Sequence, residues 1–336
     1  MADAKVGRVG PFELGPELAR GSLFRAQLAT DVRDGKIYVL KSVSVTPETF
    51  AVPEYIDSKE FKQHVAALTQ LTVRRCASLV DILRTSRRVY FVYLFAAGGP
   101  LMSTTVGRQY ISQEQPEGRL CEEEARFYFQ QLIAALRDVH RQSNGTLYHG
   151  DLRMEDLLLD KPAPLSYVPV TSKTRELKPE LRVNGIGMVV VRINSGVPNR
   201  TARGQHHMAA PELLQVQGPI TPETFAAADV WSCGVALYAM LSGAFPFDDS
   251  NPNVLTAKIC AGEFVFPKFF SPGVRGVRHL IANMLVCDPS KRFTYDRIVQ
   301  HPWFDIKCDR RMFAHLIATP ANALAASGSL GSPPTS

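Results

Sequence analysis

Two carboxylates five residues apart, Asp151 and Asp156, flank Arg153 in the stretch HGDLRMEDLLLD, residues 149–160. A carboxylate held on a loop can take a proton from a hydroxyl, and a second one can ligate a hard divalent cation. Upstream, LARGSLFRA (18–26) carries Gly21, and YVLK ends an apolar run at Lys41, fifteen residues after Ala26. Glycine lets backbone N–H groups approach phosphate oxygens, and a lysine then meets their charge. Taken together, these residue types could handle phosphate. Each also has a plainer explanation, since a lone glycine in a hairpin is usually a turn and a lysine after three apolar residues is unremarkable. The spacing is what makes the set informative.

The elements that must hold these residues change texture near residue 98. Before it, FELGPELARG, LFRAQLAT, KIYVLKSVSV and RVYFVYLF are short β-branched and aromatic runs between Gly and charged turns, the pattern of strands. SKEFKQHVAALTQLTV (58–73) repeats Phe61, Val65, Leu68 and Leu71 at helical spacing. After the Gly98-Gly99 pair, CEEEARFYFQQLIAALRDVHRQ (121–142) predicts a strong helix with acidic residues at its dipole-favoured end. Helical patterns then continue to about residue 317. The fold class expected is α+β: a small β-rich N-lobe and a larger, mainly α-helical C-lobe. The expected divisions are an N-terminal extension (1–11), an N-lobe (12–97), a C-lobe (98–317) with surface insertions at 103–118 and 160–180, and a disordered Ala/Ser/Gly/Pro-rich tail (318–336).

Composition narrows the function classes. The 336 residues are 45% apolar with a net charge of +6, and the basic residues are scattered or in short pairs, so nucleic acid is not expected as a partner. Six cysteines show no C-x-x-C, which predicts free thiols in a reducing, cytoplasmic setting and no zinc site. The run VWSCGVALYAMLSGAF (230–245) carries small polar residues and reads as a buried helix, so no membrane role is expected. His206-His207 would point apart on an extended segment and make a poor metal pair.

Further motifs follow in order: Ala210-Pro211-Glu212, then DVWSCGVALYAMLSGAFPFDD from Asp229, then DPSKRFTYDRIVQHPWF with Arg292. With these, residues 12–305 resemble the eukaryotic serine/threonine protein kinase family, its calcium/calmodulin- and AMP-activated-type branch in particular. The resemblance implies a two-lobed kinase fold with ATP between the lobes. It makes Asp151 the catalytic base and puts Arg153 where the family has a phosphate-steadying lysine. Gly21, Ala26, Val39, Lys41, Tyr93, Phe95, Ala96 and Leu158 become the cofactor-binding residues. Asp229 is expected to bond the catalytic loop's backbone, and Glu212 and Arg292 to form a buried ion pair.

Departures from the family pattern are concentrated in the chemistry. Gly185, in Gly185-Ile186-Gly187, replaces the principal metal-binding aspartate, and Asp156 stands in for the asparagine that ligates a second metal. Gly150 replaces an arginine that would receive a phosphothreonine, placed here at Thr201. His64 takes the slot of the glutamate that pairs with the lysine, with Glu60 one turn earlier as a substitute. Val39, Tyr93 and Phe24 are bulky enough to crowd the cleft. These departures predict a weakened ATP site, a compromised Mg²⁺ site with Asp156 as its remaining ligand, and a pseudokinase. Such a chain would act as scaffold or allosteric partner of a protein, either an active kinase or a kinase substrate. Two alternatives stay open: a weak serine/threonine kinase using Asp151 and Asp156, and a fold that binds nucleotide only as a structural ligand.

Overall fold

In the computed structural model, the structure describes residues 7–20, 24–45, 52–77, 79–104, 110–112, 119–162, 171, 174, 177–188, 190–191, 207–215, 221–309 and 311–312. The N-terminal strands are β1 (Arg8–Val9), β2 (Phe12–Arg20), β3 (Phe24–Asp31) and β4 (Ile37–Ser44). After helices α1 (Val52–Asp57) and α2 (Lys59–Gln70) come β5 (Leu79–Arg84) and β6 (Arg88–Leu94). They form one antiparallel sheet in the order β1-β2-β3-β4-β6-β5. Neither α1 nor β5 was expected from the sequence: α1 is a short helix of six residues, and β5 is an edge strand with Val80 and Asp81 exposed.

The two-residue period sorts this sheet into two faces. Phe24, Ala26 and Leu28 lie opposite Val43, Lys41 and Val39, which in turn lie opposite Val89, Phe91 and Tyr93. All nine therefore share the face turned toward the cleft. On the other face Tyr38, Leu40, Tyr90 and Val92 gather with Val9, Phe12 and Ala29 in a separate small core. Helix α2 starts at Ser58, whose hydroxyl accepts the Phe61 N–H at 3.0 Å. It buries Phe61, His64 and Leu68, while Val65 is half-buried and Leu71 falls at the C-cap.

In the larger lobe, β7 (Gly99–Pro100) pairs with β10 (Leu157–Leu159), and β10 with β11 (Leu181–Val183). Between them lie the hairpin of β8 (Met102–Thr104) with β9 (Tyr110–Ser112) and the long helix α3 (Glu122–Gln142). Further helices among the described residues include α4 (Pro211–Gln215), α5 (Pro222–Ser242), α6 (Pro252–Ala261), α7 (Val277–Met284), α8 (Tyr295–Val299) and α9 (Pro302–Asp305). Helix α5 is long and apolar enough to cross a membrane by length and composition alone, yet 83% of that stretch is buried inside the protein. It is apolar all round because α3, α4 and α7 pack around it as the axis of the core.

The expected surface insertion at 160–180 needs correcting at its distal end. Lys178 is buried and its ammonium meets the Glu124 carboxylate of α3 at 2.8 Å, with both side chains fully enclosed. The insertion at 103–118 contributes β9 to a hairpin, and most of its remainder lies outside the described residues, as does the tail.

Candidate functional site

The catalytic-loop sequence folds as expected because Asp229, at 0% exposure on α5, bonds it from beneath. Its carboxylate accepts the N–H of His149 at 2.9 Å and of Gly150 at 2.7 Å. Gly150 has φ +70°, a left-handed conformation that a side chain would resist. Asp151 follows, and Arg153 Nη2 donates to its Oδ2 at 3.1 Å. Burial lowers the Arg153 pKa, but Asp151 and Asp156 outweigh it and hold the guanidinium above its ordinary value. Asp156 caps the short 3₁₀ turn Met154–Asp156, accepting the Arg153 N–H on Oδ2 at 3.2 Å.

Lys41 reaches the cleft from β4, but nothing takes the place of its expected partner. Among the described residues no carboxylate comes within 4 Å of its ammonium, which lies instead over the Tyr93 ring, 5.6 Å from the centroid. Burial lowers the Lys41 pKa, against the raising influence of Asp156, with Arg153 lowering it further and Asp151 opposing. Glu60 does not reach across, contrary to the expectation, because it is exposed on α2. His64 does occupy the inward slot at 8% exposure, and burial pulls its pKa down to about 4 while a backbone hydrogen bond with Gly187 resists. A neutral imidazole therefore stands where a carboxylate was needed.

The segment after β11 packs closely against the catalytic loop and α2. Gly185 has φ +90°, and a Cβ built on it would lie 3.3 Å from the His149 ring and 3.4 Å from Asp156 Oδ1. His149 donates its Nε2 proton to the Asn184 carbonyl at 2.7 Å, and Gly187 donates its N–H to the Tyr148 carbonyl at 3.0 Å. Gly187 sits against α2 so closely that a Cβ there would meet Leu68 Cδ2 at 2.7 Å and His64 Cε1 at 3.0 Å. Next, Met188 and Val191 bury themselves in the small lobe's cleft-side core beside Tyr55, Ile56, Phe61 and Tyr93. The Tyr93 hydroxyl donates to Met188 Sδ at 3.2 Å, and burial raises its pKa. Sequence reading missed this contact; 95 positions separate the two residues and no local pattern marks it.

Sheet register brings Ala26, Val39, Lys41 and Tyr93 onto the cleft face together. Leu158 is half-buried between two fully buried leucines of β10, Ala96 is buried, and Phe95 is 37% exposed. Gly21 lies outside the described residues. Phe24, expected to crowd the cleft, lies in β3 opposite Val43 of β4 and packs on the cleft-side core. Elsewhere, Arg292 donates to both oxygens of Glu212 at 2.6 and 2.9 Å, as the motif implied. His207 stacks on Phe245 and bonds Asp248 at 2.9 Å, a structural role, while His206 and Thr201 lie outside the described residues.

The family description "protein kinase domain" matches residues 12–304. The chain belongs to the eukaryotic serine/threonine protein kinase family. Similar proteins include CBL-interacting serine/threonine-protein kinase 26 of Arabidopsis thaliana, 32% identical over 88% of this chain and 59% of that protein. CBL-interacting protein kinase 29 of Oryza sativa subsp. japonica is 32% identical over 89% of this chain and 60% of its own length. CBL-interacting serine/threonine-protein kinase 13 of Arabidopsis thaliana is 30% identical over 87% and 51% respectively. The chain thus spans a little over half the length of these relatives, which agree with the calcium/calmodulin- and AMP-activated-type branch.

A kinase domain implies ATP and Mg²⁺, which can be tested against the side chains present. Lys41 and Arg153 suit a phosphate chain. The metal fits poorly: Gly185 offers no ligand, Asp156 is already engaged in its cap, and among the described residues no three His, Cys, Asp or Glu side chains converge. The scaffold beneath the site is intact while the charge that would sit on it is depleted.

Proposed function

We propose that this kinase-fold chain transfers phosphate very slowly or not at all, and acts as a scaffold or allosteric partner for another protein in phosphorylation signalling. The observation that carries the reading is Gly185, which leaves the metal position without its carboxylate. Loss of one placed electrostatic group commonly lowers a rate by ~10²–10³. Lys41, with no carboxylate partner among the described residues, compounds that loss. The relatives are named for a protein they interact with, which supports a protein partner here.

A second reading is favoured by the retained Asp151–Arg153 pair at 3.1 Å: a weak ATP-dependent serine/threonine kinase with Asp151 as base and Asp156 as metal ligand. Phosphoryl transfer to generic serine/threonine peptides, measured with radiolabelled ATP, separates the two. The scaffold reading expects the same background rate from the wild type and from Asp151→Asn. Transfer that this substitution abolishes would establish the weak kinase instead.

A further inference from the structure

Positive charge in the cleft has been kept while metal-binding capacity has been lost. Lys41 projects from β4 on the same face as Ala26 and Val39; its ammonium lies over the Tyr93 ring, and among the described residues no carboxylate comes within salt-bridge distance of it. Arg153 lies within electrostatic range of it and is one-third exposed toward solvent. Both carboxylates nearby already accept a bond on Oδ2, Asp151 from the Arg153 guanidinium and Asp156 from the Arg153 backbone N–H, and together they offer fewer carboxylates than a site with an aspartate at 185. The position that would have drawn a divalent cation is Gly185, whose left-handed backbone and close neighbours leave no ligand there.

We propose that this cleft binds a polyphosphate chain, free or as part of a nucleotide, directly on Lys41 and Arg153 without a divalent metal. The proposal rests on the degenerate-site reading above and extends it to the ligand. A lysine ammonium and a guanidinium are strong donors to phosphate oxygens, and charge-assisted bonds of this kind are the strong ones. Mg²⁺ takes up part of the phosphate charge and needs oxygen ligands of its own, usually one or two protein carboxylates. Where those are engaged or missing, a chelated phosphate chain offers less charge to Lys41 and gains little from the protein in return. Metal-free ligand should therefore bind at least as tightly as its Mg²⁺ complex, the reverse of what a metal-dependent site shows.

Isothermal titration of the full chain at constant ionic strength tests this, with ATP and inorganic tripolyphosphate as probes in EDTA and in excess Mg²⁺. The expected result is binding in EDTA that Mg²⁺ leaves unchanged or weakens. Lys41→Met should weaken it about 10–100-fold, the loss of one charge-assisted contact. ATP binding without tripolyphosphate binding supports the nucleotide as the source, and binding of both supports polyphosphate as sufficient. Binding that requires Mg²⁺, no binding of either probe in EDTA, or EDTA binding that a folded Lys41→Met retains in full would each overturn the proposal. If Lys41→Met does not fold, Gly185→Asp serves: its added carboxylate should weaken binding in EDTA, and tighter binding there would count against the proposal. Transfer activity is a separate readout, so the scaffold reading falls on an Asp151-dependent rate and this inference on metal dependence.

Discussion

His64 shows how one side chain changes what a helix face can do. It keeps the inward position on α2 but replaces a charge by a ring that burial holds neutral, with a pKa down at about 4. In the unfolded chain an ordinary histidine binds its proton near pH 6.5. Between pH 6.5 and about 4 the unfolded state therefore holds more protons than the folded one. Stability rises with pH through that window by up to about 1.4 kcal/mol per unit and is lost on acidification. His301, also lowered by burial and by neighbouring His279, adds a background in the same direction. Urea unfolding at a series of pH values should accordingly show a steeper acid-side loss in wild type than in His64→Leu. Parallel curves for the two proteins would mean that His64 titrates in the fold as it does in the unfolded chain.

Helix α2 and the segment after β11 form one packed unit at the scale of elements. The close approach at Gly187 permits it: φ is +73° and there is no Cβ to meet Leu68 and His64. Met188 and Val191 then enter the same core as Phe61 and Tyr93. Gly187→Ala would impose left-handed strain of roughly 1–2 kcal/mol and press against Leu68, with overpacking costing ~1–3 kcal/mol more. The expected outcome is faster amide exchange across residues 59–70 and little change in α5, read by hydrogen-exchange mass spectrometry. Equal protection in both proteins would show that α2 is held from elsewhere. Part of this unit was legible in the sequence. The 58–73 periodicity located the helix, and the register of Val65, Leu68 and Leu71 set His64 inward, where it is buried. The Tyr93–Met188 contact was not legible, because period and propensity describe neighbours along the chain and this contact joins strand β6 to a segment 95 residues later.

Long-range ion pairs tie the molecule together as a whole. Arg292 and Glu212 join segments 80 residues apart, and Lys178 is drawn out of a segment expected at the surface to meet Glu124 with no solvent contact. Removing one partner of a buried pair strands the other charge and commonly costs about 3–5 kcal/mol, whereas replacing both by apolar groups costs far less. Lys178→Ala should therefore lower the urea midpoint strongly, and Lys178→Met combined with Glu124→Leu should lower it less than that single change. A double variant as unstable as the single one would show that further bonds of these side chains dominate.

Composition, periodicity and ordered motifs determined this protein's class: an α+β kinase fold, four strands and helix α2 of its smaller lobe, the long helices α3 and α5, and a loop around Asp151 held by the buried Asp229. By motif length they also set Gly185, which has no carboxylate, where the family resemblance expects a metal-binding aspartate. Tertiary structure decided what the remaining charges do. Lys41 faces an aromatic ring and not Glu60, Phe24 packs on the cleft-side core, and Lys178 is buried and not solvated. Each of these outcomes depends on which distant surface comes within a few ångströms. Desolvation and close packing act at that range, and the order of residues along a chain does not encode it locally.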